Sequence, residues 1–164
     1  MKKIYFIRHA KAKKFCANES DFERVVSKKG KKDIKLISQY LKNLDINADI
    51  VLSSCALRAQ QTTTEMLNIL NTDCFVLYLE ELYKNKTDEI LKIIQMQDDS
   101  CTDMFVVGHY PYLLEIVNQL SKQQLRDIPT MGVVALKFDI KSWRDTLHQS
   151  GVMEFCIYPK MFAS

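Results

Sequence analysis

Four short apolar runs constrain this chain more than any other feature: KIYFI at 3–7, DIVL at 49–52, CFVLYL at 74–79 and MFVV at 104–107. Each lacks polar alternation, so each is expected to be a strand covered on both faces, and such strands need helical layers on either side. The segments between them carry that helical rhythm. Ser27 is placed to cap a helix over Lys28–Leu44, with Ile34, Ile37, Tyr40, Leu41 and Leu44 on one face. Ala56–Leu70 repeats Leu57, Met66, Leu67 and Leu70, and Thr87 is placed to cap a helix through Met96. Pro111 suits the first turn of a helix through Leu120. Asn18–Val26 is polar and irregular and reads as a loop. Val133–Ile140 and Val152–Tyr158 read as two further strands, and the short link 141–151 predicts that they pair antiparallel. The predicted fold is therefore an α/β three-layer sandwich. Its mostly parallel central sheet has about six strands, with an antiparallel C-terminal strand and helices on both faces.

Bulk properties narrow the function classes. A length of 164 residues fits one domain over 1–164, and 47% hydrophobic against 26% charged residues excludes a disordered chain. No apolar run approaches a membrane span, and the stretch after Met1-Lys2-Lys3 is too short for a signal peptide, so a cytoplasmic protein with no membrane partner is expected. Cys16, Cys55, Cys74, Cys101 and Cys156 are odd in number and form no CxxC. Reduced thiols are expected, with no metal site and no cofactor. Residues 1–42 hold 13 Lys and Arg against 4 Asp and Glu, a balance of +9 that leaves −6 for the rest. A basic half can serve nucleic acid, but Lys28–Lys35 is read as the solvated face of one helix, and no nucleic-acid partner is expected.

In open sheets of this type, ligands bind beyond the carboxyl ends of the strands. Arg8 and His9 follow the first strand. Ser53 and Ser54 follow the second, with Arg58 one turn into the next helix. Glu80 and Glu81 follow the third, and Gly108 and His109 the fourth. Two guanidinium forks at one edge match phosphate oxygens, and helix N-termini there add backbone donors. A neutral imidazole in such a pocket is a competent nucleophile toward phosphorus. The candidate nucleophile is His9, with Arg8, Arg58 and His109 holding the phosphoryl group. Glu81 is the candidate proton donor, against an ordinary helix-start or salt-bridge role. Lys11 could add a point charge, against a solvated lysine. Taken singly, each of these residues has a bland structural reading; their arrival from three strand ends carries the assignment.

The same residues carry a resemblance. Phe6-Ile7-Arg8-His9-Ala10-Lys11-Ala12 resembles the Arg-His-Gly/Ala motif of the histidine phosphatase superfamily, the phosphoglycerate mutase-like proteins. Leu52 to Thr62 (LSSCALRAQQT) resembles its Ser-Ser-Pro-x-x-Arg-Ala-x-x-Thr motif, and Val106-Val107-Gly108-His109 its Val-Gly-His motif. Length and the Arg-His-Ala-Lys variant are most similar to SixA-like phosphohistidine phosphatases. The resemblance implies phosphorylation of His9, phosphoryl binding by Arg8, Arg58 and His109, and no metal. Three departures stand out: Cys55 replaces the Pro after Ser-Ser, Tyr110 stands where Asn is common, and Leu79-Glu80-Glu81-Leu82 lacks a Gly-rich sequel.

The chain has little spare length to roof a pocket, apart from Lys13–Val26 and Gln123–Gly132. An open site suits phosphohistidine protruding from a partner signalling or phosphotransfer protein. The alternatives are a small-molecule phosphomonoester phosphatase on the same scaffold and a non-catalytic phosphate-binding module. A mutase, which must retain and reorient its intermediate, is disfavoured. A monomer is the default expectation.

Overall fold

The computed structural model describes residues 1–84 and 86–163. Its elements are β1 (Lys2–Arg8), α1 (Lys28–Asn43), β2 (Ile50–Ser54), α2 (Leu57–Leu70), β3 (Phe75–Leu79), α3 (Glu80–Lys84), α4 (Thr87–Gln95), β4 (Asp103–Gly108), α5 (Tyr112–Leu120), β5 (Val133–Phe138) and β6 (Val152–Ile157), with short 3-10 turns at Asp21–Glu23, at Trp143–Asp145 and, after β6, at Pro159–Phe162. The six strands form one sheet in the order β3-β2-β4-β1-β5-β6. β1, β2, β3 and β4 run parallel, and β5 runs antiparallel to both β1 and β6. The reversed strand is thus β5, and β6, antiparallel to its neighbour, regains the direction of the first four.

The continuous apolar strands are covered on both sides. Ile4, Phe6, Leu52, Met104 and Val106 pack under α4 and α5, while Tyr5, Ile7, Val51, Phe105 and Val107 pack under α1 and α2. Successive strand residues point to opposite faces, so one run supplies two cores. Burying a side chain of this size contributes about 1.5–3 kcal/mol, and this double layer is what holds the strand ends in register.

Local signals explain most boundaries. The Ser27 hydroxyl accepts from Gly30 N–H at 3.1 Å and starts α1. Asn71 adopts a left-handed conformation and ends α2. Thr87 does not cap α4: its hydroxyl donates to Glu115 across the gap to α5, and Lys86 takes the cap position. Pro111 sits at the cap of α5 rather than inside its first turn. α3 has one buried residue, Leu82, and is too short to display a period in sequence. Among the described residues no helix is long and apolar enough to cross a membrane.

Candidate active site

The parallel strands deliver their ends to one edge. Arg8 is the last residue of β1 and pairs with Gly108, the last of β4; Ser54 pairs with Leu79 at the ends of β2 and β3. The reversed β5 starts at the same edge. Met131 N–H donates to the carbonyls of Arg8 and His9 at 3.0 and 3.2 Å, and His9 N–H donates to Gly108 O at 3.1 Å. The backbone around His9 is therefore tied to two segments, the end of β4 and the residues just before β5.

His9 is 8% exposed, and its ring orientation is set by one bond. A carbonyl can only accept, so the 2.7 Å contact between Nδ1 and Ala10 O places the proton on Nδ1 and leaves Nε2 with a free lone pair. Nε2 faces Arg58, whose Nε–H reaches it at 3.4 Å. Burial, opposed by the Ala10 bond and reinforced by Arg58, Arg8 and Arg24, lowers the His9 pKa to about 4. The Ala10 N–H in turn donates to the Thr62 hydroxyl, which donates to Arg58 O. The Thr of the second motif thus locks the His9 loop onto α2.

His109 lies beside His9, with ring centroids 4.9 Å apart. Its Nδ1 is 3.4 Å from Arg58 Nη2, a donor, so Nδ1 accepts and Nε2–H donates to Ser54 Oγ at 2.7 Å. Burial, with His9 and Arg58 adding to it, lowers its pKa to about 3. Both imidazoles are therefore neutral near pH 7. Arg8 lies across the strand end, with Nη1 donating to Ile128 O at 2.9 Å and its guanidinium 4.9 Å from the Tyr110 ring. Arg8 Nε is buried without a hydrogen-bond partner, which leaves it available to an anion.

The structure therefore brings Arg8, His9, Arg58 and His109 together. Glu81 lies at the start of α3, half-buried; among the described residues no hydrogen bond or ion pair joins its side chain to any of these four. The Lys11 side chain is exposed, and its carbonyl serves instead to accept from Ser27. Tyr110 lines the mouth, 42% exposed.

One site residue escaped the sequence reading. Asp21 sits in a 3-10 turn within the segment read as a polar loop. Its backbone carbonyl accepts from Arg58 Nη1 at 2.7 Å and its Oδ2 from Arg58 Nη2 at 3.1 Å. The same Oδ2 accepts from the Tyr83 hydroxyl at 3.1 Å, and Oδ1 from Arg24 at 3.2 Å. Burial works to raise the Asp21 pKa, but the bonds from Arg24, Arg58 and Tyr83 prevail and hold it below the usual carboxylate range. The segment is pinned at its base, where Lys13 N–H donates to Val25 O and Arg24 donates to Lys13 O. The expected open edge is thus partly covered by Lys13–Val26, because Arg58 has donors to spare and Asp21 supplies acceptors. Phe22, Tyr83, His109 and His9 follow one another as neighbouring rings, with centroids 5.2, 5.7 and 4.9 Å apart. The available signal was the Asp21-x-x-Arg24 charge pair, which is common in loops.

Strand order, strand-end chemistry and motif order define a histidine phosphatase fold. No family model matches the chain. The protein histidine phosphatase SixA complexed with tungstate aligns over 98% of this chain and 99% of its own, with a TM-score of 0.80 at 20% identity. A SixA structure from Agrobacterium tumefaciens aligns over 96% and 98%, with a TM-score of 0.83 at 24% identity. Phosphoserine phosphatase from Entamoeba histolytica, solved with 3-phosphoglyceric acid, aligns over 99% and 100%, with a TM-score of 0.64 at 15% identity. In sequence, an uncharacterized protein of Mycobacterium leprae (strain TN) is 25% identical over 142 residues, covering 79% of this chain and 86% of its own.

Proposed function

We propose that this chain is a metal-independent phosphatase working through a phosphohistidine at His9, and that its substrate is phosphohistidine on a partner protein. The observation that carries the reading is the protonation pattern of His9. With Nδ1–H held by Ala10 O, the unprotonated Nε2 faces a pocket of guanidinium and imidazole groups. In the first half-reaction, Nε2 attacks phosphorus, the bond to the leaving group breaks, and Arg8 and Arg58 hold the equatorial oxygens. A bound phosphoryl group favours protonation of His109 Nδ1, which then adds a third charged donor. In the second half-reaction, water attacks phosphorus and the electron pair of the P–N bond returns to Nε2.

Fold likeness to SixA proteins, one of them holding tungstate, supports the substrate class. Likeness to phosphoserine phosphatase supports a second reading, hydrolysis of small phosphomonoesters on the same scaffold. The five cysteines are all unpaired, which suits a reducing cytoplasm. The test is rapid quench with a labelled phosphohistidine protein, in parallel with a panel of small phosphate esters. An acid-labile, base-stable adduct is expected on His9, and His9→Ala should form none. Full activity in His9→Ala would refute the nucleophile assignment, and much faster turnover of an ester would transfer the substrate assignment to the second reading.

A further inference from the structure

We infer that Asp21 is the proton donor to the leaving group in the first half-reaction and the base toward water in the second, which equips the site for alkyl phosphate esters as well as phosphohistidine. The inference rests on the reading of His9 as nucleophile. Its basis is position: among the described residues, Asp21 supplies the one carboxylate hydrogen-bonded to a phosphate-holding arginine. Glu81, the carboxyl picked out by sequence, makes no such contact.

Four groups act on Asp21. Arg24 comes from its own segment, Arg58 from α2, Tyr83 from α3, and His109 from the end of β4. The first three keep the carboxylate ionised. An arriving phosphoryl group competes for Arg58 Nη1 and Nη2, the two nitrogens that Asp21 now occupies. Phosphate oxygens taking those donors remove a cation from Asp21 and set a new negative charge beside it. Both changes favour the protonated carboxyl, and the proton is drawn from water. Substrate binding thus converts a carboxylate that caps the arginine into an acid at the leaving-group side.

The steps balance. His9 Nε2 forms a bond to phosphorus, the bond from phosphorus to the leaving oxygen or nitrogen breaks, and that atom keeps the electron pair and takes the Asp21 proton. Asp21, now a carboxylate, then accepts a proton from the water that attacks phospho-His9. The P–N electron pair returns to Nε2, and Asp21 is again protonated while phosphate remains bound. On release of phosphate, Arg58 is recaptured and the proton returns to solvent. Tyr83 is a positioning residue here, since its hydroxyl holds Oδ2 without reaching the reacting atoms.

The test is leaving-group dependence. kcat/KM is measured for wild type, Asp21→Asn and Glu81→Gln on phosphate monoesters graded from an activated aryl ester to an alkyl ester. General acid catalysis contributes about 10²–10⁴-fold, so Asp21→Asn should lose at least about 100-fold more on the alkyl than on the aryl ester. It should also accumulate phospho-His9 from the aryl ester, because the second half-reaction lacks its base. A merely structural Asp21 would lower all esters by the same factor, and that result overturns the inference, as does a steepened dependence in Glu81→Gln with none in Asp21→Asn. Thermal melts of each variant separate misfolding from chemistry, and Asp21→Ser gives a second substitution if Asn misfolds. Absence of any adduct on wild-type His9 would overturn the nucleophile reading itself, whereas an adduct with uniform loss overturns the Asp21 role alone.

Discussion

One hydrogen bond decides the chemistry of His9. The Ala10 carbonyl fixes the proton on Nδ1, and burial beside cationic guanidinium groups keeps Nε2 free of a second proton. A lone imidazole would start to protonate near pH 6.5. Here burial lowers the pKa to about 4, so the neutral imidazole persists well below that point. The acid limb of kcat/KM, corrected for substrate ionisation, should therefore fall below pH 5, and a midpoint near 6.5 would contradict the assignment. At this scale the sequence was legible where side chains sit next to strand ends, as for Arg8, His9 and His109. Asp21 was not legible, because its partners Arg58 and Tyr83 stand 37 and 62 positions away and no local period marks it.

At the scale of elements, two contacts fit the helices to the site. Gly30 lies near the start of α1, where alanine would normally favour the helix by about 1 kcal/mol. A Cβ there would stand 2.3 Å from Lys11 O and 2.6 Å from Val26 Cγ1. Both atoms bracket the Asp21 segment. Gly30→Ala should thus destabilise, by about 1–3 kcal/mol in chemical denaturation, against its helix propensity. Thr62 is the second contact, buried between Ala10 N–H and Arg58 O. Thr62→Val keeps the shape but orphans the buried Ala10 N–H, at a cost of about 1–3 kcal/mol. Because that amide adjoins His9, kcat should fall together with stability; a variant that unfolds earlier yet turns over at the wild-type rate would show the clamp to be structural only. Strands and long helices were legible from unbroken apolar runs and from the 3.6-residue rhythm. The five-residue α3 and the hydroxyl of Thr87, drawn off to Glu115, depend on neighbours that no local window contains.

For the whole molecule, the site is a source of strain in acid. Both imidazoles have folded pKa values, about 4 and about 3, below their unfolded value near 6.5. As pH falls below 6.5 the unfolded chain takes up protons that the folded one refuses, so this contribution to stability is complete above 6.5 and is lost toward pH 4. The loss for His9 alone is on the order of 3 kcal/mol. The midpoint of urea unfolding should drop over that window, and less so in a His9→Ala, His109→Ala double variant. Tungstate or phosphate at 100 times its Kd should raise stability by about 2.7 kcal/mol, and Arg58→Ala should abolish that rise; an undiminished rise would place the anion elsewhere.

The reversal of β5 has a consequence in time as well as in space. Arg8 donates to Ile128, 120 positions later, and Met131 closes on the carbonyls of Arg8 and His9. β1 is central, flanked by β4 and β5, so one of its edges is filled only by a strand that lies far later in the chain. Contacts of such sequence separation form slowly because the chain must first close a long loop. During synthesis the carbonyls of Arg8 and His9 wait for Met131, and the Arg8 guanidinium for Ile128, long after β1 itself has been made. A nascent chain stalled before residue 128 carries Arg8, His9, Arg58 and His109 and still lacks the backbone that ties Arg8 and His9 in place.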